Sequence, residues 1–387
     1  MASTTTRPRT GNAAAHRLSN DLSNETLVQW LYDMQLIREF ELRTAQAYQQ
    51  AKIGGFCHIY IGQEASAVGT LACVHSDDPV ILAYRDHGHA LARGMDPKTC
   101  MAEMFGKAAG CAKGKGGSMH MFDKPNWLFG GHGIVAAQTP LAAGLAFASR
   151  YEREVLKKAV DGGKAKKKIC LCYLGDGALN QGAFHESLNL AGVLSLPVIY
   201  IVENNGYSMG TSVDRGTTMA HDLSRKAAAY GMEYIQIDGM DILNIYDRFK
   251  PLADDCRKQQ KPAFVNLITY RYHGHSMSDP QKYRTKDEVA QWKDRDSIAN
   301  LAAHLMAPNE PPAQAGGSLP ARACLTENQW KQMQKDIRTI VREAVNFAEQ
   351  APEPDLEAEL YSDVFQNPIP NLSPTRDYTH GTRNPPQ

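Results

Sequence analysis

Short apolar runs that stop at glycine or at a polar cluster alternate along this chain with longer segments whose apolar residues recur every three or four positions. The first pattern is that of a buried strand and the second that of an amphipathic helix. Ile169 to Leu174 is the clearest strand, a continuous apolar run that Gly175 ends abruptly. Phe184 to Leu194 then carries Phe184, Leu188 and Ala191 at helical spacing, punctuated by Gly192 and Pro197, and Pro197 to Val202 is a second apolar run. A strand, a crossover helix and a strand form a parallel unit, so both strand ends should face one edge. Val80 to Ala83, Glu233 to Ile237 and Ala263 to Tyr270 also read as strands. Glu25 to Lys52, Ala220 to Tyr230, Asp241 to Gln260, Asp287 to Met306 and Thr326 to Gln350 read as helices, and a further helix begins at Glu64. The alternation predicts an α/β fold, a mostly parallel doubly wound sheet with helices on both faces and its loops of interest along the carboxyl edge.

The residues expelled at that edge carry chemistry. Asp176 sits between two glycines in GDG, so a tight turn can present its carboxylate beyond the first strand. The next strand delivers Glu203, Asn204 and Asn205 beside it. A hard magnesium ion takes near-octahedral oxygen ligands at roughly 2.0–2.1 Å and usually keeps water or phosphate in part of its shell. Asp176, the amide oxygen of Asn205 and a main-chain oxygen near Tyr207 would supply half of it. A turn and a polar strand terminus would also read this way. The strand, helix and strand between the two motifs favour the site.

Val80 to Ala83 expels Tyr84, Arg85, Asp86, His87, Gly88 and His89 together. An arginine there suits diphosphate oxygens, and a surface ion pair between Arg85 and Asp86 is the plainer alternative. His58 lies in a short apolar run, where a lone histidine is usually structural. Cys111 to His120 has three glycines and two lysines without a preceding strand, which reads as a flexible loop. Phe129 to Gln138 is Gly-rich and enters an Ala-rich helix through Ser149, placing Gly133 and Val135 where a cofactor can approach closely. Arg271 to Thr285, with two histidines, leaves the last strand on the same edge.

Composition removes several function classes. Among 387 residues, 42 Lys plus Arg balance 42 Asp plus Glu, so no net field favours nucleic acid or an anionic membrane. No segment approaches ~18 consecutive apolar residues. The eight cysteines form no CxxC pair and read as reduced and mostly buried. Residues 1–24 read as a disordered arm, with Arg7, Arg9 and Arg17 and no acid before Asp21, and 366–387 as an extended tail around a domain at 25–365. The arm lacks an amphipathic stripe, which points to a bacterial cytoplasm before a mitochondrial matrix. Glu152 to Lys168 reads as a solvated excursion.

With these residues assembled, GFCHIYIGQEA, YRDHGHALARG, GCAKGKGGSMHMF, GDGALNQG, ENNGYSMGTSV and YRYHGHSMSDP resemble, in order and context, the alpha subunits of the thiamine-diphosphate-dependent 2-oxoacid dehydrogenase family, over roughly Glu25 to Tyr361. The resemblance implies the thiamine-diphosphate-binding fold, and magnesium on Asp176, Asn205 and the Tyr207 carbonyl. It implies the diphosphate on Tyr84, Arg85 and His275, and Gly133, Val135, Gly177 and Ala178 along the cofactor. It places His58 near the substrate, with His58 and His275 as the catalytic histidines and His273 in support. Oxidative decarboxylation of pyruvate would follow, with reductive acetylation of the lipoyl group of a dihydrolipoyl acetyltransferase. In such two-chain members the glutamate that activates the cofactor comes from a beta subunit, so an α2β2 heterotetramer is expected.

Gly206 and Ser208 stand where relatives often have Arg and Gly. Ser212 and Ser276 match serines phosphorylated in mitochondrial relatives, while the third regulatory serine has no counterpart. Alpha subunits of branched-chain 2-oxoacid and acetoin dehydrogenases are the nearest alternatives, and HGHSMSDP and FCHIY favour pyruvate. A nicotinamide-dependent dehydrogenase needs a strand leading into GxGxxG, which is absent. A non-catalytic scaffold would have no reason to keep both magnesium ligands.

Overall fold

A computed structural model describes residues 17–157, 166–307, 322–360 and 362–363. Its centre is a six-stranded sheet. In chain order its strands are β1 (Val80–Ala83), β2 (Leu128–His132), β3 (Cys170–Gly175) and β4 (Val198–Asn204), followed after a small antiparallel hairpin, β5 (Tyr207–Ser208) with β6 (Thr211–Ser212), by β7 (Glu233–Asp238) and β8 (Ala263–Ile268). The spatial order is β2-β1-β3-β4-β8-β7, and every pairing is parallel.

The central strands are continuous apolar runs because both of their faces are covered. Along β3, Leu171 and Tyr173 join one core cluster while Cys170, Cys172 and Leu174 join the other. Ile199 and Ile201 of β4 face the first, Val198, Tyr200 and Val202 the second. This is the two-residue side-chain period of a strand sorted into two layers. The first layer includes residues of helices Asn24–Gln49, Glu64–Leu71, Ile242–Gln259, Ser297–Met306 and Glu327–Gln350. The second is thinner, with residues from Gln138–Glu154, Gly182–Val193 and Ser224–Ala229.

Helix ends follow their caps. Ser23 accepts from the Thr26 N–H at the start of Asn24–Gln49, and Thr326 and Gln329 form a reciprocal capping box on Glu327–Gln350. The stretch expected as one helix from Asp287 to Met306 is two, Lys286–Lys293 and Ser297–Met306. Asp296 breaks it, since its carboxylate accepts from Ile298 and Ala299 N–H and caps the second segment. The Ala220 to Tyr230 helix shortens to Ser224–Ala229.

The N-terminal arm also ends sooner than expected. Leu18–Asp21 is a 3-10 turn in which buried Ser19 donates to Asp247 from N (2.7 Å) and from Oγ (2.9 Å). Arg322 fastens the same turn through the carbonyls of Ser19, Asn20 and Leu22. The rest of the arm, the middle of the Glu152 to Lys168 excursion and the tail from 366 lie outside the described residues.

Candidate active site

Chain order reverses direction in space between β1 and β3: the chain leaves β1 for β2 on one side, then crosses back to β3 on the other. Open α/β sheets bind ligands at such a switch point, outside the carboxyl ends of the strands. Four neighbouring strand tips meet there. β1 ends at Ala83 and hands over Tyr84 and Arg85, and β3 ends at Gly175 before Asp176. Gly175 pairs with Glu203 of β4, so Asp176 and Asn205 emerge side by side. Asn204 pairs with Ile268 of β8, which leads to Arg271 and His275.

A narrow polar cleft joins these tips, lined by Tyr84, Arg85, Val135, Asp176, Gly177, Ala178, Asn205, Tyr207 and His275 of the expected set. Asp176 is 2% exposed, its Oδ2 has no partner, and burial pushes its carboxyl up to about 6. Asn205 is fixed on both sides: its Nδ2 donates to Gln63 Oε1 (3.2 Å) and its Oδ1 accepts from Tyr207 N (3.3 Å). Among the described residues no group of three His, Cys, Asp or Glu side chains is placed to hold a metal. A cation here would therefore rest on one carboxylate, amide and carbonyl oxygens, and oxygens of a ligand.

Arginines supply the opposite charge. Arg271 is 2% exposed, its Nη2 donates to the Tyr207 carbonyl (3.3 Å), and Nε and Nη1 are without partners. Burial, with Arg85 nearby, lowers its pKa to about 10, so it stays charged at neutral pH. Arg85 does not pair with Asp86. Its Nη1 donates to the Ile59 carbonyl (2.6 Å) and its Nη2 to that of His275 (2.7 Å), which ties β1 to the loop after β8. Asp86 is instead fully buried, accepts from Met121 N (2.8 Å), and is raised to about 7 by burial. A buried acid and a buried guanidinium, each with unpartnered atoms in one cleft, fit a group that brings both a cation and phosphate oxygens.

Beyond the cleft a wider cavity of about 730 Å³ opens, sharing Tyr84, Val135, Ser208 and His275 with it and adding His58, Gly133, Met119 and Ser276. Three rings cluster at the junction: His58 lies 4.6 Å from Tyr84 and 5.1 Å from His275, and Tyr84 lies 5.7 Å from His275. Burial and the neighbouring Arg85 lower His58 to about 2 and His275 to about 3. Both are neutral at physiological pH, and a neutral imidazole serves as a hydrogen-bond partner, not as a standing cation. His58 Nδ1 is buried and unpartnered. His273 is only partly buried and lines neither the cleft nor the cavity.

Two stretches depart from their sequence reading. Phe129 to Gln138 opens with strand β2, whose glycines admit close neighbours: a Cβ on Gly130 would lie 2.2 Å from the Phe122 ring and one on Gly131 1.9 Å from Asp86 Oδ2. Cys111 to His120 is held in place, not flexible, because four of its amides bond to the buried Glu103 carboxylate. Glu203 and Ser208, named above without a site role, and Gln63 and Gln138, not singled out, line the cleft with Arg271. Glu203 hydrogen-bonds Tyr60 and lies 3.4 Å from His89 Nε2, and Gln138 donates to the Tyr173 carbonyl with its own Oε1 unpartnered. Position was a signal for Glu203 and Ser208, at and just after the end of β4, whereas Gln63 lies at the start of helix Glu64–Leu71, far along the chain from any strand tip.

Residues 32–357 match the model of the family described as dehydrogenase E1 component. The chain is 44% identical to the pyruvate dehydrogenase E1 component subunit alpha of Rickettsia felis, over 89% of this chain and 97% of that one. It is 44% identical to the protein of the same name from Rhizobium meliloti, over 89% and 91%, and 43% identical to that of Zymomonas mobilis, over 88% and 89%. The chain belongs to the dehydrogenase E1 component family.

Proposed function

We propose that this chain is the alpha subunit of a pyruvate dehydrogenase E1 component, using thiamine diphosphate and magnesium to decarboxylate pyruvate oxidatively and passing the acetyl group to the lipoyl arm of a dihydrolipoyl acetyltransferase. The observation that carries the reading is the unpartnered Asp176 carboxylate beside Asn205, opposite the unpartnered nitrogens of Arg271, in one cleft of a chain whose relatives bear that name.

When bound, thiamine diphosphate supplies a carbon nucleophile and the electron sink that loss of carbon dioxide from a 2-oxo acid requires. Asp176, Asn205 and the Tyr207 carbonyl hold the magnesium, while Arg271, Arg85, Tyr84 and His275 face the diphosphate. Gly133, Val135, Gly177 and Ala178 let the cofactor lie against main chain. Neutral His58, lining the wide cavity, hydrogen-bonds the substrate oxygens. The rings of His58, Tyr84 and His275 pack together at the same place and form a wall for the substrate.

The site is not closed by this chain alone. Phe56, Ile134, Val135 and Met209 are exposed, and Phe56, Val135 and Met209 line the cavity. That apolar rim suits a beta subunit, which would also bring the activating glutamate and complete an α2β2 assembly. No helix among the described residues is long and apolar enough to cross a membrane. The bacterial relatives support placing the enzyme in a bacterial cytoplasm.

The test is reconstitution. Alpha and beta chains are combined, thiamine diphosphate binding is measured by calorimetry with and without magnesium, and turnover is compared on pyruvate, 2-oxoisovalerate and acetoin. Magnesium-dependent binding and preference for pyruvate by the two-chain enzyme are expected. Preference for 2-oxoisovalerate or acetoin, or decarboxylation by the alpha chain alone, overturns the reading.

A further inference from the structure

One buried carboxylate lies outside the cleft and is satisfied entirely by main chain. Glu103, in the helix Pro97–Met104, has no exposed surface. Its Oε2 accepts from the N–H groups of Ala112 (2.7 Å) and Gly114 (2.9 Å), and its Oε1 from those of Gly116 (2.7 Å) and Gly117 (3.0 Å). Lys113, Gly114 and Gly117 have φ of 58°, 76° and 59°, and left-handed residues among right-handed ones turn N–H groups to one side into a concave anion-binding array. The chain's own carboxylate fills that array. Lys113 and Lys115 do not neutralise it, because their ammonium groups pair outward with Glu359 and Asp363. The fit is close: a Cβ on Gly110 would lie 2.3 Å from Glu103 Oε2.

The far end of this loop enters the site. Ser118 Oγ accepts from the His58 N–H (3.3 Å) and lies 2.8 Å from His87 Nε2. His87 is itself anchored 3.0 Å from the Glu41 carboxylate. Met119 lines the wide cavity. We propose that Glu103 is a positioning residue for the substrate side of the active site: it locks the loop so that Ser118 fixes the main chain at His58 and Met119 holds the cavity wall. The kinetic part of this proposal rests on the pyruvate reading given above.

The experiment uses the reconstituted two-chain holoenzyme with Glu103→Gln and Glu103→Asp. Gln keeps the shape but points an amide NH2 at two N–H groups; Asp keeps the charge but withdraws it by one methylene. Hydrogen exchange across residues 110–119 should quicken by at least about tenfold in the Gln variant, the factor that loss of about one hydrogen bond gives, with Asp between Gln and wild type. KM for pyruvate should rise about tenfold while the thiamine diphosphate Kd stays within about twofold, a split that general destabilisation would not produce. If the Gln variant does not assemble, the Asp variant decides. Unchanged exchange in the variants that assemble, or KM and cofactor Kd moving together, overturns the proposal. A wild-type holoenzyme inactive on pyruvate refutes the functional reading instead, and exchange then decides the role of Glu103.

Discussion

Asp176 and Glu103 are both acids removed from water, and their surroundings are opposite. Glu103 receives four amide hydrogens and has nothing left to offer a ligand. Asp176 is almost as deeply buried, yet one of its oxygens touches no donor and burial pushes its carboxyl up to about 6. Desolvating an acid without compensation is unfavourable, so the framework around Asp176 accepts a penalty that a bound cation would remove. Around the loop, the chain has removed that penalty itself. Satisfied buried charge marks framework, and unsatisfied buried charge marks the place kept for something else.

The contrast can be broken by removing each acid. Asp176→Ala should weaken magnesium-dependent thiamine diphosphate binding by more than the ~100-fold that loss of an outer-shell partner causes. The ligand-free variant should melt no lower than wild type, because an uncompensated buried charge is gone. A ligand-free thermal midpoint well below wild type would show that Asp176 is framework after all. Glu103→Ala should do the reverse: leaving buried amides unmatched should lower stability by about 3 kcal/mol in denaturant titrations, with cofactor affinity held in the folded fraction.

A smaller effect separates the histidines of the cavity from the loop. Burial, reinforced by Arg85, holds His58 to about 2, below the ordinary value of 6.5. The unfolded chain therefore takes up the proton first, and stability falls as pH drops below 6.5 and continues falling towards the folded value. At pH 5 this contribution is about 2 kcal/mol, and His58→Gln should flatten the pH dependence of the denaturation midpoint by that amount. The smallest effect is expected at the surface: Glu359→Gln, which removes a partly exposed partner of Lys113 and Lys115, should leave the midpoint unchanged while Glu103 holds the loop from inside.

How much of this was legible follows the same division. β3 and β4 were readable because an apolar run ended by glycine has few other meanings, and the helix between them fixed which ends would meet. Asp176 and Asn205 came with them. β2 was hidden, since LFGGH is too rich in glycine to look like a strand, and its glycines are explained only by Phe122 and Asp86 pressing against it. Glu103 was hidden for another reason. In MAEMF it looks like an ordinary helix-surface charge, and its partners lie 9 to 14 positions away in a loop whose glycines suggested mobility. Arg271 sits in a run of polar residues that could equally have faced water; only the packing of β8 beside β4 puts it inside.

The cleft draws its walls from positions as far apart as Gln63 and His275, so no fragment of the polypeptide possesses it. Parallel strands join only after long stretches of chain have closed on themselves, which makes such pairing slow and late. A molecule spanning four adjacent tips recognises the completed sheet and nothing before it. Its binding energy is added to the free energy of global unfolding and does little to suppress fraying elsewhere. A chain that has zipped only part of its sheet lacks the cleft and has nowhere to hold such a molecule.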